Sequence, residues 1–485
     1  MIGMSLAEIA RVVGGTVTGA GAAGPDADTA GIRVTGPAFL DSRDPEPGGL
    51  FVALVGERAD GHAYAPAALD GGAAAMLGSR DVGLPGVLVP DPTTSLGVLA
   101  RHVVDRLNRP DGVRLLALTG SQGKTGTKDY LAQVLARQGA AVATAGNYNN
   151  ELGVPLTVLR ADESTRFLAV EMGARGRGHI GYLCRIAPPE IAAVLNVGTA
   201  HLGEFGSREA IAAAKGEIVE ALPDGGVAVL NADDPLVAAM ADRVPPTART
   251  LTFGGGGEVS WRSLRLDELG RPSFELTHAG DAREVALRQP GEHQVANAAA
   301  AAAMALAAGC GLDRIAHALS EARPLSRWRM EVTDRADGVT VLNDAYNANP
   351  ASMAAAVATL GAIGARSARR TVAVLGEMYE LGDTADDGHR EVGTAVAEQR
   401  IDVLVTVGAG AEPIASGARS RPGWQGMCVV TAGRDEALEW LRENVRAPDV
   451  VLVKASRGLA LEHVASGLLE GTTITDEADA GVGDV

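Results

Sequence analysis

Thr119-Gly-Ser-Gln-Gly-Lys-Thr125 is a glycine turn set between an apolar run, residues 113–118, and a helix-patterned run, residues 128–136. A strand, a glycine turn and a helix start bring backbone N–H groups and the positive end of a helix dipole to one point, which suits a phosphate. Lys124 can reach terminal phosphates, and the Thr125 hydroxyl can ligate Mg²⁺. The longer form of this pattern has a glycine where this chain has Leu118; only Gly120 and Gly123 remain, so the loop is a short variant.

Outward from the loop the chain alternates short apolar runs with helical stretches. It predicts an α/β fold in three domains. Residues 1–108 form a small mixed α/β N-terminal domain. Residues 109–324 form a central phosphate-loop domain with a doubly wound parallel sheet and a small antiparallel β excursion at 249–287. Residues 325–471 repeat the rhythm as a Rossmann-like C-terminal domain. Residues 472–485 are acidic and glycine-rich with little to bury, which predicts a disordered tail.

A length of 485 residues is too great for one core, and 46% hydrophobic with 21% charged residues is ordinary for a globular protein. A net charge of −17 argues against a nucleic-acid partner, whose binding needs clustered Lys and Arg. Three scattered cysteines, Cys184, Cys310 and Cys428, fit reduced thiols in a cytoplasmic protein. Residues 1–13 pattern as a small amphipathic helix rather than a secretory signal. The uncharged stretch 294–312 is mostly alanine, which predicts a buried helix and no membrane span.

Several polar residues fall where a ligand would meet an open α/β sheet. The segment Asn147-Tyr-Asn-Asn-Glu-Leu-Gly-Val-Pro155 suits either turns or hydrogen bonds to a ligand. Glu171 follows the run 167–170 at the carboxyl end of a strand, where a carboxylate can hold Mg²⁺ or simply face water. His201 lies past the run 191–195 and is open to a structural or a site role. Lys215, in a helix of small residues, reads by default as exposed. Asp344 can contact a ribose or phosphate-bound water, and Asn347 and Asn349 offer donors and acceptors to a peptide-like substrate. Arg329 can clamp a phosphate.

With these residues in order, the chain resembles the Mur ligases, the ATP-dependent ligases of peptidoglycan precursors. The resemblance rests on residues 119–125, 147–155 and 171–173, His201, Ala214-Lys-Gly-Glu217, Asn231-Ala-Asp-Asp-Pro235 and His293-Gln-Val-Ala-Asn297. Asp344-Ala-Tyr-Asn-Ala-Asn-Pro350 and Leu375-Gly-Glu-Met-Tyr-Glu-Leu-Gly382 with His389 resemble the branch that adds D-alanyl-D-alanine. Asp41-Ser-Arg43, Gly49-Leu-Phe51 and Asp60-Gly-His62 fit the UDP-substrate domain of that branch.

The resemblance implies transfer of the ATP γ-phosphate to the carboxylate of UDP-MurNAc-tripeptide, then attack by the amine of D-Ala-D-Ala. Its ATP site would comprise Gly120, Ser121, Gln122, Gly123, Lys124, Thr125, Asn297 near the adenine, Arg329 and Asp344. Two Mg²⁺ would be held by Thr125, Glu171, His201 and a carbamylated Lys215, with Lys124, Lys215, His201 and Glu171 as the catalytic set. Ser42, Arg43, Asn147, Asn149 and Asn150 would contact the UDP substrate, and Tyr346, Asn347 and Asn349 the dipeptide. A monomer whose domains close before chemistry is expected.

Gly126 stands where the family usually carries a hydroxyl, and Lys454-Ala-Ser-Arg457 has alanine for a family glycine. The competing readings are another ligase of the superfamily (diaminopimelate- or lysine-adding, or folylpolyglutamate synthase) and an inactive nucleotide-binding regulator. The chain has no Asp-Asn-Pro-Arg motif for the first, and Lys124, Glu171, His201 and Lys215 together oppose the second.

Overall fold

The computed structural model describes residues 1–19, 29–56, 59–109, 112–198 and 205–470. His201 and the acidic tail read at 472–485 lie outside these described residues.

The central sheet has nine strands, in the order Asp281–Ala286, Pro272–His278, Val259–Leu266, Arg249–Phe253, Val227–Asn231, Ile191–Val194, Arg114–Thr119, Phe167–Glu171, Ala141–Ala143. From Arg249–Phe253 to Ala141–Ala143 every pairing is parallel. The chain leaves Arg114–Thr119 toward the Ala141–Ala143 edge and later crosses to Ile191–Val194 on the opposite side. Arg114–Thr119 is therefore the topological switch point, and the crevice at its carboxyl end is where such sheets bind ligands. The residues after that end are the glycine loop.

The excursion at 249–287 is antiparallel from its second strand onward: Arg249–Phe253 belongs to the parallel sheet, and the later strands extend the same sheet through antiparallel hairpins. The alanine-rich stretch forms the buried helix His293–Ala307, which ends where Gly309 takes a left-handed φ of 86°, and a second helix, Leu312–Glu321, follows it. Among the described residues no helix is long and apolar enough to cross a membrane. His293–Ala307 instead packs flat on the phosphate-loop helix Lys124–Ala136, where alanine allows close approach.

A five-stranded sheet precedes the central one, ordered Thr16–Thr18, Gly86–Leu88, Ala75–Gly78, Leu50–Val52, Ala38–Phe39, with only the first strand antiparallel. Its helix Pro92–Leu107 packs on Gly153–Val158 and His179–Ile186 of the central unit. One apolar cluster consequently runs unbroken from Met1 to Met240 across both sheets. The N-terminal helix Leu6–Val13 is set by a capping box between Ser5 and Glu8.

The last sheet has six strands, ordered Glu331–Asp334, Thr340–Asn343, Val450–Lys454, Thr371–Gly376, Val403–Val407, Met427–Thr431, parallel except at the first edge. Its two faces pack into clusters of their own. Asn349 starts the helix Pro350–Ser367: its Oδ1 accepts from Ser352 N at 2.9 Å, and Ser352 Oγ accepts from Asn349 N at 3.0 Å. Asn349→Ala is expected to cost about 1 kcal/mol, read as a lower denaturation midpoint.

Candidate active site

Leu118 is fully buried in its strand, so the turn starts two residues later than in the longer pattern, at Gly120. Gly123 caps the following helix with φ 74°, and a Cβ there would come within 2.3 Å of Asn297 Oδ1. Both facts require glycine. The helix begins at Lys124, four residues before the apolar pattern that predicts it. Asn196, just past the neighbouring strand, holds the turn from the other side. Its Oδ1 accepts from Gln122 N at 2.9 Å and its Nδ2 donates to Gln122 O at 3.1 Å. Gly198 N donates to Ser121 Oγ at 2.9 Å. Lys124 Nζ donates to Gly120 O at 2.8 Å, curled over its own loop, and burial draws its pKa down against the pull of Glu171.

Glu171 is the last residue of its strand rather than the first beyond it, and it is 1% exposed. Thr125 Oγ1 donates to Glu171 Oε2 at 3.2 Å, and Asn149 Nδ2 to Oε1 at 2.7 Å. A hydroxyl and a carboxylate side by side are hard oxygen donors. Among the described residues there is no group of three or more His, Cys, Asp or Glu that could hold a metal. That sparse set fits Mg²⁺, which keeps its waters and takes one or two carboxylates together with substrate phosphates.

Lys215 is 6% exposed in the helix Arg208–Glu220, against the default expectation of an exposed lysine. Its pKa lies well below the ordinary lysine value, through burial first and the charge of Lys124 second. The helix that carries it is locked from behind. Arg243 donates to the carbonyls of Ala212 and Ala213 at 3.1 and 2.8 Å, in space that only Gly216 leaves open. Glu217 accepts from Gly178 N and Gly181 N at 2.6 and 2.9 Å, at the start of the helix His179–Ile186.

The C-terminal sheet supplies the opposite wall. Arg329 Nη2 donates to Thr125 Oγ1 at 3.4 Å, its guanidinium lies 4.2 Å from the centre of the Tyr346 ring, and its buried Nε has no partner among the described residues. Asp344 and Lys454 stand at the ends of adjacent strands. Lys454 Nζ donates to Asp344 Oδ2 at 2.6 Å and to Asn347 O at 2.7 Å, and Met330 N donates to Asp344 Oδ1 at 3.1 Å. Burial lowers the Lys454 pKa, and Asp344 opposes the shift.

These groups surround one cavity of about 800 Å³. Of the residues singled out from sequence, Gly120, Ser121, Gln122, Gly123, Lys124, Thr125, Asn147, Asn149, Asn150, Glu171, Lys215, Asn297, Arg329, Asp344, Tyr346, Asn347 and Asn349 all line it. Some already have local duties. Asn150 Oδ1 accepts from Gly153 N at 2.9 Å, and Asn349 spends its side-chain oxygen on the helix cap. Ser42 and Arg43 are not in the lining, and exposed Arg43 is paired with Asp41, Nη2 to Oδ2 at 2.6 Å. His389 is buried away from the cavity, its Nε2 accepting from Met378 N at 2.8 Å. Sequence reasoning missed Asn196 and the Asp344–Lys454 pair. The clue for Asn196 was its position one residue past an apolar run that ends beside the loop.

A family model described as Mur ligase middle domain matches residues 118–305, and one described as Mur ligase, glutamate ligase domain matches 328–457. The UDP-N-acetylmuramoyl-tripeptide--D-alanyl-D-alanine ligase of Mycobacterium tuberculosis is 45% identical, over 98% of this chain and 99% of that one. The crystal structure of MurF from Acinetobacter baumannii superposes with a TM-score of 0.82 at 31% identity, over 96% of this chain and 99% of that one. That of MurF from Thermotoga maritima, in complex with ADP, gives 0.75 at 30% identity, over 92% and 98%.

Proposed function

The chain belongs to the Mur ligase family, and on that footing we propose that it is an ATP-dependent ligase joining D-alanyl-D-alanine to UDP-MurNAc-tripeptide. The chief support is the meeting, around one cavity, of the phosphate loop, Glu171 and Lys215 from the central sheet with Arg329, Asp344 and Lys454 from the last sheet. In the first step the tripeptide carboxylate takes the γ-phosphoryl group of ATP, giving an acyl phosphate and ADP. The dipeptide amine then attacks the acyl carbon, loses a proton, and phosphate leaves as the amide forms.

In this reading the amides of residues 120–125 and the Lys124 cation hold the β- and γ-phosphates, and Lys124 exchanges Gly120 O for phosphate oxygen. Thr125 and Glu171 would hold one Mg²⁺, and His201 with carbamylated Lys215 a second; bound there, the ions would neutralise charge as carboxylate nears phosphorus. Lys215 suits carbamylation because a buried neutral amine adds CO₂, releasing a proton and becoming an anionic oxygen donor. Arg329 adds a cation from the far wall, and Asp344, fixed by Lys454, faces the nucleotide. Asn297, beside Gly123, lies toward the adenine. Tyr346, Asn347 and the amide NH₂ of Asn349 receive the dipeptide. Asn147, Asn149 and Asn150, with Ser42 and Arg43 beyond the cavity, receive the UDP substrate.

The division of labour follows the three sheets: residues 1–108 for the UDP substrate, 109–324 for ATP, and 325–471 closing over both to keep water from the acyl phosphate. We place the reaction in the cytoplasm, catalysed by a monomer. The free thiols of Cys184, Cys310 and Cys428 suit a reducing compartment.

Phosphate release from the full chain with ATP and Mg²⁺ should require both UDP-MurNAc-tripeptide and D-Ala-D-Ala. Turnover with a single amino acid in place of the dipeptide would shift the assignment to another ligase of the family. ATP binding without any turnover would leave only a regulator.

A further inference from the structure

Residues 323–331 connect the central sheet to the last one, yet the structure fastens this connection along one face of the phosphate-loop helix. Thr125, Asp129 and Gln133 recur at every fourth position of Lys124–Ala136, so their side chains stand in a row. Against them, in the opposite direction, run Arg323, Ser326 and Arg329, each three residues from the next. Gln133 meets Arg323 with both halves of its amide: Nε2 donates to Arg323 O and Oε1 accepts from Arg323 N, each at 2.9 Å. Asp129 accepts from Ser326 N at 3.0 Å and from Ser326 Oγ at 3.1 Å, while Lys128 balances its buried charge. Arg329 Nη2 on Thr125 Oγ1 completes the row at 3.4 Å.

The backbone beside Arg329 needs such anchorage. Trp328 and Met330, on either side of it, have φ of 58° and 50°, a left-handed region that side chains other than glycine occupy only when their surroundings hold them there. Downstream, Asp344 accepts from Met330 N, and the Arg457 guanidinium lies 4.4 Å from the centre of the Trp328 ring. Upstream, the contacts of Asp129 and Gln133 are the matching hold.

We infer that Asp129, Gln133 and Ser326 are positioning residues: the helix serves as a ruler that sets Arg329 over the phosphate loop. Because the spacing is four residues on one side and three on the other, a slip of one residue would break every contact in the row. Any shift of the helix N-terminus on phosphate binding would pass directly to the connection and the sheet beyond it. This inference rests on the nucleotide reading of the loop.

Two mild variants test it. Gln133→Leu removes both bonds to Arg323, together with the amide's bond to Asp129 O, at similar volume, and Ser326→Ala removes the hydroxyl's bonds with Asp129 and Lys128 while leaving those two paired with each other. The affinity of the full chain for a non-hydrolysable ATP analogue with Mg²⁺ is measured by calorimetry, each variant made in the native and the Arg329→Ala backgrounds. If the residues act through Arg329, each weakens binding about fivefold in the native background and less than about twofold in Arg329→Ala. Equal losses in both backgrounds, or no loss in the native one, would overturn the inference while the loop assignment stands. A native chain that fails to bind the analogue would overturn the loop assignment as well.

Discussion

Lys124→Ala is expected to lower turnover by about 10²–10³-fold, the usual effect of removing one preorganised donor from a developing anion, with the thermal midpoint essentially unchanged. The separation of the two effects follows from what Lys124 touches. Among the described residues its amine is hydrogen-bonded to the carbonyl of Gly120 alone, and the Glu171 carboxylate acts on it through space without a bond. Its removal breaks no direct ion pair, the usual route to a large folding loss, and buried Glu171 keeps its bonds from Thr125 and Asn149. The glycine turn keeps its shape without it, since Gly123 supplies the left-handed turn and Asn196 bonds both backbone groups of Gln122. Phosphate release and differential scanning calorimetry on the same sample check both halves. Near-native turnover in the variant would remove the loop from the site.

Stripping CO₂ and bicarbonate is expected to abolish most activity, and restoring bicarbonate to recover it, with Lys215→Arg inactive under both conditions. An unmodified Lys215 is a poor resident of its position: buried, close to Lys124, and without a hydrogen-bond acceptor among the described residues. In the folded chain burial draws the amine's pKa well below the ordinary value of 10.5, so the unfolded chain takes up its proton at a higher pH than the folded chain does. The unfolded state therefore binds the extra proton, and the unmodified lysine costs more stability as pH falls through that window. Fixing CO₂ replaces the penalty with an anion beside Lys124. Denaturation midpoints measured against pH should thus rise on adding bicarbonate, and the gain should fade toward acid pH, because carbamate formation releases a proton that acid returns. Midpoints and activity both indifferent to bicarbonate, with a bare lysine by mass spectrometry, would end the carbamate idea.

The glycine loop was legible because its signal is local: an apolar strand, two glycines and a helix that follow one another. The parallel sheets were legible for the same reason, since each strand buried on both faces is a continuous apolar run. Edge strands were not. Glu331–Asp334 and Met427–Thr431 are half-exposed, so their composition resembles that of loops. Lys215 could not be read as buried, because its burial comes from elements distant in sequence. The same holds for Lys454, whose partner Asp344 lies 110 residues away and meets it only because two strands became neighbours. Asn349 shows the reverse case, in which a motif residue that invites a ligand role also serves the local backbone.

The apolar cluster that runs unbroken from Met1 to Met240 makes the first two sheets one thermodynamic body, while the last sheet keeps its core to itself. The three sheets thus rest on two units of cooperativity. Cutting the chain ahead of the last sheet would leave the larger body whole, whereas cutting between the first two would lay open an apolar seam and favour aggregation. The last sheet is therefore far easier to exchange for another module than the first.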